Sequence, residues 1–482
     1  MREQQVGKTE VHLLEVRRAV ISLSVYRKVL DWNQPYNKDL KTIQSGGTAF
    51  VVDSLPNTED GFFALTAYHV VEHAVRLRAM LFQNEENENP SSPLEATIVT
   101  YSISLDAAVI FIKSPRPSWL KPLAVGVSDN LIPNAQVKCA GFPLRQDFQV
   151  TTGFVSGRLP DRIQIDASVN PGNSGGPLIN VRDGKVVGIV VSGYSPEEAQ
   201  NVNFCTPYED VKRALLQAVE VNLEKVTSVP IVSLNFNLIP TSPDLVEHVT
   251  EGKCHAGTAV TRINHSSAAY KLGLRENDIV CSIDGYTVGY KATVRVPWWK
   301  VDEIHYTTII SRKPVGKKIN VDFFSTVSRK MESIAFELEK DFSIFQYVDA
   351  QSYSVPYVRL GGVVVQPLTV NLFEQASALI SRYRYVFKRP DLQERSLLII
   401  THIDADSPFT SMDQVSVYDA IIGVNDVCLP TGDLEAYGAA FQNAVKSGMV
   451  SLRLYTGSVA STTSKNIEEW NNSNPNKKSL HT

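Results

Sequence analysis

From Ala19 to about Leu215 the chain alternates short apolar runs of strand length with clusters of turn residues. The clearest runs are Ala19–Tyr26, Gly47–Asp53, Phe62–Ala67, Ala107–Ile112, Gln136–Gly141, Ile163–Asp166 and Val186–Ser192. Many short strands at such spacing predict an all-β sandwich or barrel. The series ends in Pro207–Val221, where Val211, Leu215, Ala218 and Val219 share one helical face behind a proline start, so a helix is expected to close the domain. A different pattern follows. Gly257–Ile263, Asn264–Gly273 and Ile279–Gly285 read as a strand, a short helix with a glycine C-cap, and a strand ending in an Asp-Gly turn. Leu397–Ile403, Ala420–Val424, Leu434–Lys446 and Val450–Tyr455 repeat that theme more faintly. The expected organisation is an N-terminal extension over 1–18, a β domain over 19–222, an α/β module over 223–340, a divergent copy over 341–456 and a tail over 457–482. The tail is rich in Ser, Thr, Asn and Lys, which predicts disorder.

Composition narrows the function more than the fold. With 482 residues, 43% hydrophobic and 20% charged, the chain has enough apolar material for several cores. Lys+Arg 47 against Asp+Glu 51 leaves a net charge of −4, which argues against nucleic acid as a chain-wide partner. Ser381–Pro390 interleaves basic and aromatic residues and could stack on bases, but a strand with a solvated basic face is the simpler reading. Trp298 and Trp299 read as core or inter-domain packing rather than a partner hot spot. The five cysteines, Cys139, Cys205, Cys254, Cys281 and Cys428, never form C-x-x-C, so neither a disulfide framework nor a zinc site is expected. No P-loop, dinucleotide fingerprint or metal-ligand cluster appears, and no cofactor or metal is expected. No apolar run reaches the roughly 20 residues of a membrane span, and the charged N-terminus has no signal-peptide core. A soluble intracellular protein is expected, in the cytoplasm or nucleus rather than secreted, with the organelle left open.

The strongest chemical signal is Asn170–Pro–Gly–Asn–Ser–Gly–Gly–Pro177. A serine nucleophile needs its hydroxyl on a tight turn and backbone amides aimed at the developing oxyanion. Gly172, Gly175 and Gly176 permit that turn. The amides of Gly172 and Ser174, with Asn173 between them, are expected to form the hole. The partners stand upstream: His69 in Thr66–Val71 and Asp106 in Leu105–Ile110. The order His, Asp, Ser is that of chymotrypsin-type double barrels.

With these residues in place, positions 19–222 resemble the protease domain of the HtrA/Deg family. Cys139–Ala–Gly–Phe–Pro143, Val150–Gly157, Ile163–Ala167 and Asn203–Phe–Cys–Thr–Pro207 carry the likeness, and Gly273–Val280 with Ile283–Asp–Gly285 resembles the family's PDZ modules. Arg295–Trp299 and Leu360–Thr369 are most similar to eukaryotic plant-type Deg proteases with two PDZ domains. The resemblance implies a mainly β fold, a chymotrypsin-like double β-barrel followed by two α/β PDZ-like modules. It also implies a homo-oligomer built from trimers and a serine endopeptidase acting on unfolded or exposed polypeptide segments.

Ser168 stands six positions before the nucleophile, where a pocket for Lys or Arg would carry Asp. Ser168, Phe204, Cys205 and Thr206 therefore suggest a pocket for small or medium apolar side chains. Three departures complicate the likeness. Tyr68 replaces a small residue beside His69 and could perturb or gate the pocket. The 157–163 loop is short for a regulatory relay. The first module's peptide-carboxylate loop, around Ile231, Val232 and Ser233, lacks glycine, whereas the second keeps Gly361 and Gly362 after Leu360. The rival reading is a catalytically restrained HtrA-like chaperone or scaffold that acts through its PDZ-like modules.

Overall fold

The computed structural model describes residues 13–37, 41–82, 92–143, 146–159, 161–193, 202–216, 227–229, 232–299, 303–340, 355–369, 371–372, 377–383, 397–410, 412–429, 433–475 and 479–481. The chain forms two compact units, 1–28 with 42–341 and 29–41 with 342–482.

The first unit opens with two barrels. β1 (Val20–Lys28), β2 (Thr42–Phe50), β3 (Phe62–Thr66), β4 (Ala74–Met80), β5 (Leu94–Ser102) and β6 (Ala107–Ile112) pair in the order β5–β4–β1–β2–β3–β6, and β5 closes onto β6. Strand alternation turns Ile21, Leu23 and Val25 of β1 into the core, all at most 1% exposed. One helical turn, α1 (Tyr68–Val71), follows β3. β7 (Gln136–Gly141), β8 (Gln149–Arg158), β9 (Ile163–Ile165), β10 (Pro177–Asn180), β11 (Val186–Gly193) and β12 (Asn203–Pro207) close a second barrel. This is the expected chymotrypsin-like double barrel, with α2 (Tyr208–Val211) starting just after Pro207. Closure removes the open sheet edges that such short strands would otherwise expose.

The same unit continues into a five-strand antiparallel path of Phe236–Ile239, Thr258–Ile263, Ile279–Ile283, Lys318–Ser325 and Lys330–Glu337. Local chemistry sets the turns here. Ser267 caps the helix Ala268–Lys271 by accepting from the Tyr270 amide, Gly273 follows at φ 113°, and Asp284–Gly285 turns Ile283 back against Tyr286. Cys254 and Cys281 form a disulfide, which corrects the expectation that no cysteine would pair. Their spacing follows no recognisable framework, and only the packing of Cys254 against the sheet brings them together.

A buried charge cluster joins this module to the second barrel. Arg312 lies 3.7 Å over the Trp298 ring and reaches Asp129 and Asp210, each at 3.2 Å. Arg158, at the end of β8, lies over Trp299 at 5.4 Å and faces Asp129 at 3.6 Å. The two tryptophans thus serve packing between modules. Burial pulls the Arg158 guanidinium down to about 10 and pushes the Asp210 carboxyl up.

The second unit is a sheet whose path includes Tyr357–Leu360, Val363–Pro367, Leu398–Ile403, Ala420–Val424, Met449–Leu454 and Val459–Thr463, backed by the helix Leu434–Lys446. Three features differ from expectation. Residues 29–41 belong to this unit rather than to the barrels: Trp32 is buried, and its carbonyl accepts from Gln366 Nε2 at 2.8 Å. The segment expected to be a disordered tail instead supplies the strand Val459–Thr463 and the helix Ser464–Ser473, whose Ile467 and Trp470 are buried. Its low apolar content is concentrated at two positions three apart, enough for one helical stripe. The basic-aromatic run begins in a helix, Ser377–Tyr383, not a strand. Arg382 pairs with Asp419 at 2.7 Å and Tyr383 is buried. Residues 384–390 of that run lie outside the described residues.

Candidate functional site

His69 sits on α1, directly after the fully buried strand β3. Its ring Nδ1 is 2.7 Å from Asp106 Oδ2, and its backbone N–H donates to Asp106 Oδ1 at 2.8 Å. One carboxylate therefore fixes both the ring and the backbone of the histidine. Asp106 occupies the turn between β5 and β6 at φ 48°, a left-handed conformation uncommon outside glycine and asparagine. The Thr206 hydroxyl donates to Leu105 O at 2.6 Å and braces that turn.

Ser174 lies on the turn between β9 and β10. Gly172 at φ 105° and Gly175 at φ 85° flank it, and a Cβ at Gly175 would collide with Thr48 O and Thr66 Oγ1. Glycine is required at that position for both conformation and space. The turn is bolted to the first barrel. Thr48 N–H donates to Ser174 O at 2.9 Å, Thr48 Oγ1 donates to Gly172 O at 2.6 Å and accepts from Phe142 N–H at 3.1 Å, and Thr66 Oγ1 donates to Thr48 O at 2.7 Å. Among the described residues the amides of Gly172 and Ser174 donate to no protein acceptor, whereas Asn173 N–H is committed to Asn170 O at 3.0 Å. Amides without a protein acceptor beside the nucleophile are what an oxyanion hole draws on. The Ser174 hydroxyl donates to Val191 O at 3.3 Å, so in this resting rotamer its proton faces the β11 edge. His69 and Asp106 side chains are 42% and 30% exposed, leaving the imidazole open to a substrate.

The other expected positions differ in exposure. Ser168 is exposed, and its carbonyl accepts from Thr151 Oγ1 at 2.9 Å. Phe204 is 9% exposed beneath the Arg162 guanidinium at 5.8 Å. Cys205 lies in the core of the second barrel, where burial and neighbouring Cys139 push its thiol up, so it is a packing residue and not a reactive one. Residues 194–201, between β11 and β12, lie outside the described residues. Tyr68 does not gate the site, because its ring is 4% exposed and stacks on Tyr101 inside the first barrel at 4.7 Å. In the short 157–163 turn, Leu159 N–H donates to Arg162 O at 2.9 Å.

Of the first module's loop, Val232 and Ser233 pair with Lys340 and Glu339, and Ile231 lies outside the described residues. In the second unit Leu360, Gly361 and Gly362 are buried. Ser407 Oγ donates to Gly361 O at 2.7 Å, and a Cβ at Gly361 would stand 2.7 Å from Ile467. That loop is roofed by the helix Ser464–Ser473. Among the described residues no group of three or more His, Cys, Asp or Glu is placed to hold a metal, and no helix is long and apolar enough to cross a membrane.

The trypsin-like peptidase domain profile matches residues 47–189, which hold all three of His69, Asp106 and Ser174. Protease Do-like 2, chloroplastic, of Arabidopsis thaliana is 26% identical over 388 residues, covering 78% of this chain and 59% of that protein. Protease Do-like 1, chloroplastic, of the same plant is 31% identical over 273 residues, covering 52% of this chain and 56% of that protein. This chain carries a trypsin-like peptidase domain and is similar in sequence to HtrA/Deg proteases. It spans somewhat under two thirds of the length of both plant relatives. A solved HtrA-type protease, AlgW with decapeptide, shares the fold at TM-score 0.51 and 21% identity, covering 68% of this chain and 97% of that one. The names of the plant relatives place them in the chloroplast. They give no support to the expected placement in the cytoplasm or nucleus.

Sequence reasoning missed Arg27, Thr48 and Thr66, whose hydrogen bonds hold the site together. Arg27 had a signal. It follows Ile21, Leu23 and Val25 on the inward face of β1, where alternation calls for an apolar residue.

Proposed function

We propose that this chain is a serine endopeptidase in which Ser174, His69 and Asp106 form the catalytic triad. The observation that carries the reading is the double engagement of His69 by Asp106 beside a glycine turn with two uncommitted amides. Ser174 Oγ rotates from Val191 O towards His69 and attacks the scissile carbonyl carbon. His69 Nε2 takes the hydroxyl proton, and the carbonyl oxygen gains negative charge within reach of the Gly172 and Ser174 amides. The C–N bond then breaks as His69 returns the proton to the leaving amine, and water releases the acyl group by the same steps. Asp106 keeps Nδ1 protonated throughout. Ser168 in place of an acidic residue supports a preference for small or medium apolar side chains. Unfolded or exposed segments are the substrates that fit a site recognising extended backbone. Assembly through trimers of the protease domain belongs to the same proposal.

A fluorophosphonate probe tests the reading. Wild type should be labelled and Ser174→Ala should not, and wild type should cleave unfolded casein. Absence of labelling in a folded wild type would favour the scaffold alternative.

A further inference from the structure

We propose that Arg27 is a positioning residue that holds His69 in place for catalysis. The inference rests on the triad reading above. α1 is a single turn, Tyr68–Val71, preceded by Ala67, which offers no capping side chain. The last carbonyls of a helix have no intrahelical partner and must find one elsewhere. Here Glu72 N–H serves Tyr68 O at 2.8 Å, but the chain then leaves the helix, with His73 at φ 57° and β4 beginning at Ala74. Arg27 Nη2 fills the gap, donating to His69 O at 2.7 Å and to Val70 O at 2.6 Å.

The strand geometry delivers that guanidinium. Arg27 continues the inward face of β1, at the end of the barrel where α1 lies. The β1–β4 register slips at Tyr26/Arg27, with Arg27 opposite the small Ala74 and one extra residue in β4. Such bulges re-aim a strand and its side chains next to functional sites. His69 is thereby gripped at three points: the backbone N–H and ring Nδ1 by Asp106, and the carbonyl by Arg27. The opposite side of α1 is closed by packing, since a Cβ at Gly47 of β2 would collide with Val70. The peptide unit after His69 is held on its amide side by Val70 N–H donating to Ala67 O at 3.3 Å, and Arg27 adds the tie on its carbonyl side. On the triad reading, Arg27 steadies that plane and through it the ring whose Nε2 must accept the Ser174 proton.

The test uses the full chain as wild type, Ser174→Ala, Arg27→Met and Arg27→Lys. Methionine keeps most of the aliphatic stem without the donors, and lysine restores a charged donor without the planar fork. The measurements are kcat and KM on an unstructured peptide, the rate of Ser174 labelling, the melting temperature, and amide deuterium exchange across residues 68–72. Arg27→Met should lose roughly 10- to 100-fold in kcat and labelling rate, the scale of a small misplacement of a reacting group. KM should stay within a factor of about three, exchange across 68–72 should rise, and Arg27→Lys should recover part of the loss. A folded Arg27→Met with kcat and exchange unchanged overturns the proposal. So does a loss that falls equally on KM and tracks the melting temperature, because Arg27 would then be structural only. If wild type itself is unreactive, the triad reading fails, and exchange across 68–72 still decides whether Arg27 holds α1.

Discussion

Replacing Asp106 by Asn changes one atom and, on the proposed mechanism, should nearly abolish turnover. The reason lies in the two bonds the carboxylate accepts. The His69 backbone N–H points at Oδ1 at 2.8 Å, and ring Nδ1 lies 2.7 Å from Oδ2. An asparagine must place its oxygen opposite one and its NH2 opposite the other. Turning the NH2 towards the backbone N–H sets two donors face to face and leaves a backbone donor unsatisfied, at a cost of about 1–3 kcal/mol. The favoured orientation puts the NH2 opposite Nδ1, which must then accept. The imidazole proton moves to Nε2, and the nitrogen meant to take the Ser174 proton is already occupied. Loss of the correct tautomer in serine proteases lowers kcat by roughly 10⁴, equal to about 5 kcal/mol of transition-state stabilisation. The side chain is isosteric, so the fold should persist. The assay is steady-state cleavage of a peptide with a small apolar residue before the scissile bond, together with the rate of fluorophosphonate labelling, with circular dichroism to confirm folding. A folded Asp106→Asn retaining more than about a tenth of wild-type kcat would refute the argument that Asp106 sets the tautomer.

Three further outcomes concern stability. Arg312→Ala removes one partner from each of Asp129 and Asp210 and the cation over Trp298, leaving Asp129 facing Arg158 at 3.6 Å and Asp210 paired with Arg213. It should cost about 1–3 kcal/mol in denaturant unfolding of the first unit, because each carboxylate keeps one arginine partner. Arg158→Met should change stability by less than about 1 kcal/mol, because that arginine has only a 3.6 Å approach to Asp129 to lose and is itself disfavoured by burial; equal costs for the two variants would contradict this account of the cluster. Asp278 is fully buried, accepting from the Arg275 and Thr326 amides at 2.8 Å and the Thr326 hydroxyl at 3.0 Å, and burial pushes its carboxyl up against the pull of those bonds. A carboxyl raised in the folded state binds its proton more tightly there than in the unfolded chain. Its contribution is complete below the unfolded value of about 3.9 and is lost as pH rises through the folded value. Asp278→Asn lacks this titration, so its stability deficit should be larger near pH 4 than at pH 7; a deficit that grows with pH would reverse the assigned sign.

What could be read along the chain, and what could not, divides by the range of the interaction. The nucleophile turn was legible because its requirements are local: Gly175 must take a left-handed φ and leave room for Thr48, so the turn shows itself as a glycine pattern around Ser174. The helix ending at Gly273 and the Asp284–Gly285 turn were legible for the same reason. Thr48 was not. It is an ordinary strand residue whose role exists only once β2 lies against the 172–174 turn, 124 positions away for its bond to Gly172. Cys254 and Cys281 likewise meet only through the fold of their module, 27 positions apart.

The final segment is the more instructive miss. Mean composition predicts disorder when too little apolar surface is available to offset chain entropy. Composition does not record where the apolar residues stand. Ile467 and Trp470 occupy one face of the helix Ser464–Ser473, which Thr463 caps at its start by accepting from the Asn466 amide. Ile467 packs where Gly361 leaves no side chain of its own, and Trp470 Nε1 donates to Asp406 at 3.2 Å. The glycine that reads in sequence as an opening for a peptide carboxylate is thus the space into which the chain's own helix fits. A glycine signals close approach of something, and only the folded chain says of what.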